Sequence, residues 1–429
     1  MWPSPPELVP LADCVSSETQ FTRPKATPLL RAIAVWGPGL LVMLADTDAG
    51  NVVTAAQAGV QWRYRLLPLV LVLIPMLYMV QELTVRLGVH TGRGHGELLR
   101  DRFGLGWASL STAGLAAATI GSLITEFTAV AGIGELYDVP RSLTLPIVAV
   151  ALLIVVGTGS YRRVERTALI VGLSELAFFA VVWAAHPNLG TVASDALRPP
   201  VGNLKFDYLA AAIIGATFNP WMIFYQQSAT VDKKLRSEHL TRARWDTGIG
   251  AVLTQCLTGA VLVAAAATLG ADNPSPSLSS VGQISDALTP LLGETTGRLV
   301  VGVGVLGASL VAAIVSSLAL AWGVGEAAGY RRSLENRPFE ASWFYGIYAT
   351  GVLGAAGLVW LVPDLVWLTI AAQVLNVFLM PLVIGLLVAL AARALPKQYR
   401  LRGWYLWLIT GISIVVCTLG LYGGVAGLL

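Results

Sequence analysis

Residues 44–53 read LADTDAGNVV, inside a run from Ile33 to Val60 that is otherwise apolar, small or glycine. Asp46, Asp48 and Asn51 are thereby set at the depth of a membrane helix, where an ionisable group is costly and marks a functional site by default. A second stretch, IIGATFNPWM at 213–222, breaks another apolar run. Pro220 removes an N–H and clashes with the Ala216 carbonyl, and Gly215 loosens the same turn. Each stretch predicts a helix interrupted near its middle. In the first, Gly50 with the short polar Asp48 and Asn51 permits unwinding and leaves the Ala45 carbonyl free. In the second, the carbonyls of Ala216 and Thr217 are freed. In lipid such backbone survives only where protein buries it or it lines a cavity.

The remaining sequence fits this depth. The 429 residues are 55% hydrophobic and 12% charged, with a mean hydropathy of +0.69, against roughly 25% charged in soluble domains. Apolar windows of the ~20 residues that cross a ~30 Å hydrocarbon core recur as about eleven spans: 33–60, 66–89, 107–134, 142–158, 166–186, 208–231, 247–270, 298–328, 342–362, 364–392 and 403–428. Runs such as LLPLVLVLIPMLYMV (66–80) are continuously apolar, which indicates helices and not barrel strands. Residues 1–31, polar and proline-rich, read as a tail, and 32–429 as one transmembrane domain. Of the 28 Lys and Arg, 22 fall in the tail and the even-numbered loops. The positive-inside rule then puts the N-terminus in the cytoplasm and the C-terminus outside, in the cell membrane. Basic residues spread over five short loops form no nucleic-acid footprint. Three distant cysteines, Cys14, Cys256 and Cys417, suggest neither a disulfide framework nor a soft-metal site.

The two interrupted helices open successive five-helix blocks, spans 1–5 and 6–10. Inverted repeats produce this pattern when they place half-helix ends around a midplane substrate site. The expectation is an all-α integral membrane transporter with a five-plus-five core and an eleventh helix. Asp48, Asn51, the carbonyls of Ala45, Ala216 and Thr217, and the Asn219 amide offer only oxygen, which suits hard divalent cations. One carboxylate among neutral oxygens suits an ion that keeps part of its hydration, as Mg²⁺ does. Gln373 and Asn376 in AAQVLNVFLMP either complete the site or bond helix to helix. If its segment is extended, Asp46 faces away from Asp48, as a second-shell or vestibule charge. Glu82 and Glu126 stand alone in apolar runs and read as ion-pathway or second-site groups, the alternative being structural pairing with polar neighbours. Glu135 and Glu326, near span ends, read as snorkelling to the interface. Glu175 is left unassigned, and His90, His95 and Glu97 read as a solvated loop. No Walker A sequence is present, which argues against an ATP-driven pump.

GPGLLVMLADTDAGN (37–51), MVQELTVRLGVHTGRGHGELLRDRFG (79–104), GATFNP (215–220) and AAQVLNVFLMPLVIGLL (371–387) resemble the natural-resistance-associated macrophage protein (Nramp) transporters of divalent metals. The likeness runs from about Trp36 to Ala392 and implies the LeuT-type fold. The family's Asp-Pro-Gly-Asn stands as Asp48-Ala49-Gly50-Asn51, keeping both ligand side chains, and Ala45 matches the position whose carbonyl faces the ion. The sixth-helix motif Ala-Thr-x-Met-Pro-His stands as Ala216-Thr217-Phe218-Asn219-Pro220-Trp221. The metal-binding Met is thus Asn219, and the His tied to proton movement is Trp221. Gln373 matches the tenth-helix glutamine that approaches the ion. Span nine has no charge where proton-coupled members carry basic residues. Glu126 keeps the third-helix acid, with Ala129 where a second acid often stands.

This pattern resembles the Nramp-related magnesium transporters. It implies a non-enzymatic importer of Mg²⁺, and also Mn²⁺, that works without proton coupling or a cofactor. An inward divalent cation gains about 4.6 kcal/mol over 100 mV, so coupling is not required. The alternative is a proton-coupled Mn²⁺/Fe²⁺ transporter with Glu126 or Glu82 as proton carrier. An amino-acid transporter on the same fold fits poorly, since Asp48 would repel a substrate carboxylate. The partners implied are the metal ion and the bilayer, and the oligomeric state is left open, a monomer being compatible with the sequence.

Overall fold

A computed structural model of the chain describes residues 37–268, 283, 293–362 and 366–426, so the expected tail of residues 1–31 lies outside the described part. Every regular element described is helical. Helix α1 (Pro38–Asp46) and helix α2 (Ala49–Trp62) are the two halves of span one, parted by Thr47 and Asp48. Helix α1 has no side-chain cap of its own. Its cap comes from 207 residues away: the Asp246 carboxylate accepts from the amides of Gly37, Gly39 and Leu40 at 3.2, 2.8 and 3.2 Å. This satisfies the donors orphaned at a helix start and places a negative charge at the positive end of its dipole.

Helices α3 (Leu67–Thr91), α4 (His95–Phe103), α5 (Leu105–Leu136) and α6 (Arg141–Gly157) follow. Span five is α7 (Tyr161–Gly172), a 3₁₀ turn at Leu173–Leu176, and α8 (Ala177–Ala185). After α9 (Leu189–Ala196), span six is divided into α10 (Leu204–Thr217) and α11 (Pro220–Asp232). Helices α12 (Leu240–Thr268), α13 (Glu294–Ala328), α14 (Ser342–Leu361), α15 (Val366–Arg393) and α16 (Gly403–Ala426) complete the chain. All eleven expected spans are present. Nine helical runs among the described residues are long and apolar enough to cross a bilayer, and Arg141–Gly157 is a shorter apolar helix. Span one, in pieces of 9 and 14 residues on either side of Thr47–Asp48, is not in that set.

Three features escape hydropathy. Helix α4 forms inside the first basic loop, and α7 and α12 begin several residues before the expected starts of spans five and seven. Helices extend into the headgroup zone, whereas an apolar window reports only the hydrocarbon stretch. The 3₁₀ turn in span five carries no proline, and its signal in sequence is weak.

Helix α12 packs along α1, α2 and α3, α13 along α5, and α10 lies against α15, α16 and α2. The outer surface is apolar: Leu143, Ile147, Val150 and Ile154 make an exposed stripe on α6, and Trp404 and Trp407 are exposed near the start of α16, as in an interfacial aromatic belt. Two glycines position the centre. A Cβ on Gly215 would lie 1.8 Å from the Gln373 carbonyl oxygen, and one on Gly50 would lie 1.8 Å from Gln373 Nε2. Span ten therefore touches both broken helices at one residue.

The two clashes differ in kind, since one is with backbone and the other with a side-chain tip. Gly215→Ala is expected to cost about 1–3 kcal/mol through overpacking and to lower the thermal midpoint in detergent by several degrees. Gly346→Ala, where a Cβ meets nothing within 4 Å, should leave the midpoint unchanged or raise it.

Candidate metal site

The two breaks lie side by side, and each is bridged by an asparagine. Asp48 is the N-cap of α2, its Oδ1 accepting from the Asn51 amide at 2.7 Å. Asn51 Nδ2 donates back to the Asp46 carbonyl at 3.0 Å, and Thr258 Oγ1 donates to Asn51 Oδ1 at 3.0 Å. In span six, Asn219 precedes Pro220 at the start of α11, and its Nδ2 donates to the Ala216 carbonyl at 3.0 Å. The same Nδ2 lies 3.5 Å from Asp46 Oδ1. Asn376 Nδ2 donates to Asn219 Oδ1 at 2.5 Å and to Gln373 Oε1 at 3.1 Å. Asp46, Asp48, Asn51, Asn219, Gln373 and Asn376 are all buried, none more than 3% exposed.

Of the residues singled out in sequence, Asp46, Asp48, Asn51, Ala216, Asn219, Gln373 and Asn376 thus form one polar cluster. Ala45 closes the last turn of α1 and Thr217 the last turn of α10. The Thr217 hydroxyl donates to the Ile213 carbonyl and accepts from Gln255 Nε2 at 3.3 Å. Glu126 reaches the cluster from α5, its Oε2 accepting from the Ala49 amide at 3.2 Å. Thr258, Thr254 and Gln255 on α12 were not anticipated. Thr254 shares a 2.8 Å hydrogen bond with Thr47, and nothing in a run of small polar residues on an apolar helix announces such partners.

Four expectations change. Asp46 does not face away from Asp48, because α1 stays helical through Asp46 and the Asp46 carboxylate therefore points toward Asn219. Glu82 does not join this cluster: Arg86 and Arg244 bind its carboxylate at 2.9 and 2.7 Å, the pairing that was its alternative reading. Glu326 does not snorkel. It is 1% exposed and accepts from the Gly96 amide at 2.9 Å and Ser228 Oγ at 2.6 Å, with Arg332 Nε 3.4 Å away. His95 is not solvated but fully buried, edge-on to Phe224 and 3.1 Å from Gln227 Oε1. Burial pushes it down to about 4, so it is neutral and its Nδ1 donates to Gln227. Glu135 does reach the surface, paired with Arg141. Glu175, unassigned in sequence, lies buried in the 3₁₀ turn, close to Thr47, Asp46 and Asp48.

The donor set is all oxygen where it is not amide nitrogen. Asp46 Oδ2, Asp48 Oδ2 and Asn376 Oδ1 are buried without a hydrogen-bond partner in the protein. Unpaired buried carboxylate oxygen is costly, and a hard cation is the group that would satisfy it. Among the described residues no three His, Cys, Asp or Glu cluster as a metal site, and most of the oxygens gathered here belong to amides and carbonyls.

Comparison with known proteins bears on the family and the fold. A divalent metal cation transporter MntH of Agrobacterium fabrum is 26% identical over 309 residues, covering 69% of this chain and 67% of its own. The MntH of a Klebsiella pneumoniae strain is 27% identical over 302 residues, covering 67% and 70%. The crystal structure of an Eremococcus coleocola manganese transporter superposes with a TM-score of 0.73 at 18% identity, covering 93% of this chain and 88% of that one. A nucleobase–cation symporter, Mhp1, superposes with a TM-score of 0.56 at 15% identity. The architecture is the LeuT-type fold. The model of the natural resistance-associated macrophage protein-like family matches residues 39–426, nearly the whole described structure, and the chain belongs to that family.

Proposed function

We propose that this protein carries divalent metal cations into the cell by alternating access, with the cluster between the two broken helices as the transport site. The observation that carries the reading is the meeting of the two breaks: Asp46 Oδ2 and Asp48 Oδ2 are buried unpartnered at the first, and Asn219 of the second, held by Asn376, brings its amide 3.5 Å from Asp46 Oδ1. The MntH relatives and the manganese transporter, by their names, put divalent metal in the substrate class. Asp48, Asn51, Asn219 and Gln373, with the carbonyls of Ala45, Ala216 and Thr217, would face the ion. Asn219 now turns its NH₂ toward Asp46 and its oxygen toward Asn376. A half-turn of both amides would offer the Asn219 oxygen to the ion and the Asn376 oxygen to the Asn219 NH₂, releasing the Ala216 carbonyl and Gln373 Oε1 from their hydrogen bonds for the ion to take, so the two side chains would move together.

We further propose that Mg²⁺, alongside Mn²⁺, is a substrate and that protons are not coupled. Asn219 supplies hard oxygen where the family's methionine supplies a thioether, and hard oxygen favours Mg²⁺. Span nine carries no charged residue. The competing reading, proton-coupled Mn²⁺ transport, is favoured by Glu126, whose buried carboxylate joins the start of α2, and by the nearby Glu175. Glu82 no longer enters it. The orientation proposed from the basic loops places the α1 start, held by Asp246, at the cytoplasmic side.

Two outcomes decide between these readings. In proteoliposomes with Mg²⁺ outside and a pH-sensitive dye inside, the uncoupled reading expects Mg²⁺ entry with no acidification beyond that of empty vesicles. Stoichiometric acidification would establish the competing one. Asp48→Ala should abolish transport of every divalent ion, and residual uptake above a tenth of the wild-type rate would remove Asp48 from the site. Asn219→Met should shift competition from Mg²⁺ toward Mn²⁺ and Cd²⁺ by about tenfold or more, as for one ligand exchanged from hard to soft. An unchanged competition profile would show that Asn219 does not set selectivity.

A further inference from the structure

Away from the transport site, a groove of about 890 Å³ runs down the outer face between α3, α8 and α12. On α12 it is lined by Thr241, Arg244, Trp245, Ile249, Val252 and Cys256, a single stripe at helical spacing. From Thr241 to Cys256 this stripe extends about 22 Å, more than the ~15 Å of hydrocarbon belonging to one leaflet. Opposite it, α3 contributes Ile74, Pro75 and Tyr78, and α8 contributes Phe179.

Polarity is confined to one end. Tyr78, Thr241 and Arg244 gather there, on the side of the basic 232–244 loop. Beyond them the wall is hydrocarbon and aromatic. The charge at this end is a triad, Arg86–Glu82–Arg244, of net +1. Its carboxylate is enclosed, with the Glu82 side chain 3% exposed, whereas the Arg244 side chain is 36% exposed. Arg244 binds Glu82 through Nε and one terminal nitrogen, and a guanidinium has five N–H donors, so donors remain for a second anion. Trp245, 66% exposed beside it, is the amphipathic ring expected at the headgroup level.

We propose that this groove is a binding site for one anionic phospholipid, its acyl chain lying along α12 and its headgroup phosphate held by Arg244 with Thr241 and Tyr78. A zwitterionic headgroup would bring a second cation toward the guanidinium and gain less. Occupancy bears on the transport machinery through α12 itself. Asp246 and Thr247, which follow Trp245, cap α1 and bind Gln226 Nε2 at 2.7 Å on the inner face of the same turn.

Native mass spectrometry of the full chain with an equimolar mixture of dioleoyl phosphatidylglycerol and dioleoyl phosphatidylcholine tests this. The first lipid retained should be phosphatidylglycerol, by about fivefold, the preference expected for one basic residue near an anionic headgroup. Arg244→Gln should abolish the preference. Val252→Trp, which fills the apolar part without touching the charges, should remove the first binding event. Leu353→Trp, an equally exposed position on α14, should change nothing. Equal retention of the two lipids by the wild type, or undiminished phosphatidylglycerol binding by Val252→Trp, would overturn the proposal. So would a dimer in lipid-free micelles that Val252→Trp dissociates, which would assign the groove to a second copy of the chain.

Discussion

Breaking a helix inside a membrane leaves backbone polar groups that no water can satisfy, and this structure meets that requirement with two asparagines. At the first break Asn51 Nδ2 donates to the Asp46 carbonyl, and at the second Asn219 Nδ2 donates to the Ala216 carbonyl, both at 3.0 Å. Each amide replaces a helical N–H with a side chain that also has an oxygen to offer. The groups that make the interruption tolerable are therefore the groups that make a polar site possible. Gln373 lies against both breaks because Gly50 and Gly215 lack side chains, and it ties the second repeat's tenth span to the pair.

The remaining architecture serves to hold the half-helices. Helix α1 has no local cap, and its start is kept in place by Asp246 on α12 and lies beside the 2.7 Å ion pair of Lys233 with Glu165. Such an arrangement is strong while assembled and can be released at few points. An alternating-access cycle needs an element whose ends are fixed by a few directed bonds instead of a broad apolar face. The charge-assisted cap of α1 meets that need, since hydrogen bonds to a carboxylate are about twice as strong as neutral ones.

Much of this was legible in the sequence because it rests on local rules. The eleven spans follow from apolar run length, and the two breaks follow from Pro220 and from glycine beside short polar residues. What was not legible depends on partners distant in sequence. Glu82 and Glu126 each interrupt an apolar run with a single acid, and the one local difference is Arg86, a helical turn after Glu82. Arg244, 162 residues away, joins Arg86 on Glu82, while Glu126 accepts from the Ala49 backbone amide. The loop histidine His95 was misread for the same reason: its burial is created by Phe224 and Gln227 of span six. Asp46 was misplaced by a local error, the assumption that unwinding begins before it and not after it.

The geometry also changes how substrate preference should be understood. Asn219 stands where a methionine ligand is expected, yet it is not an isolated ligand. Its oxygen is held by Asn376, whose amide also binds Gln373 Oε1, and its nitrogen faces Asp46. Replacing Asn219 with a thioether would remove an acceptor from Asn376 as well as a donor near Asp46. Buried polar networks are costly when partly satisfied, so a substitution at Asn219 disturbs the Asn219–Asn376–Gln373 chain as a whole. On the proposed reading, a change at Asn219 therefore tests the whole row of amides and not one ligand, because the amides that would face the ion also satisfy one another.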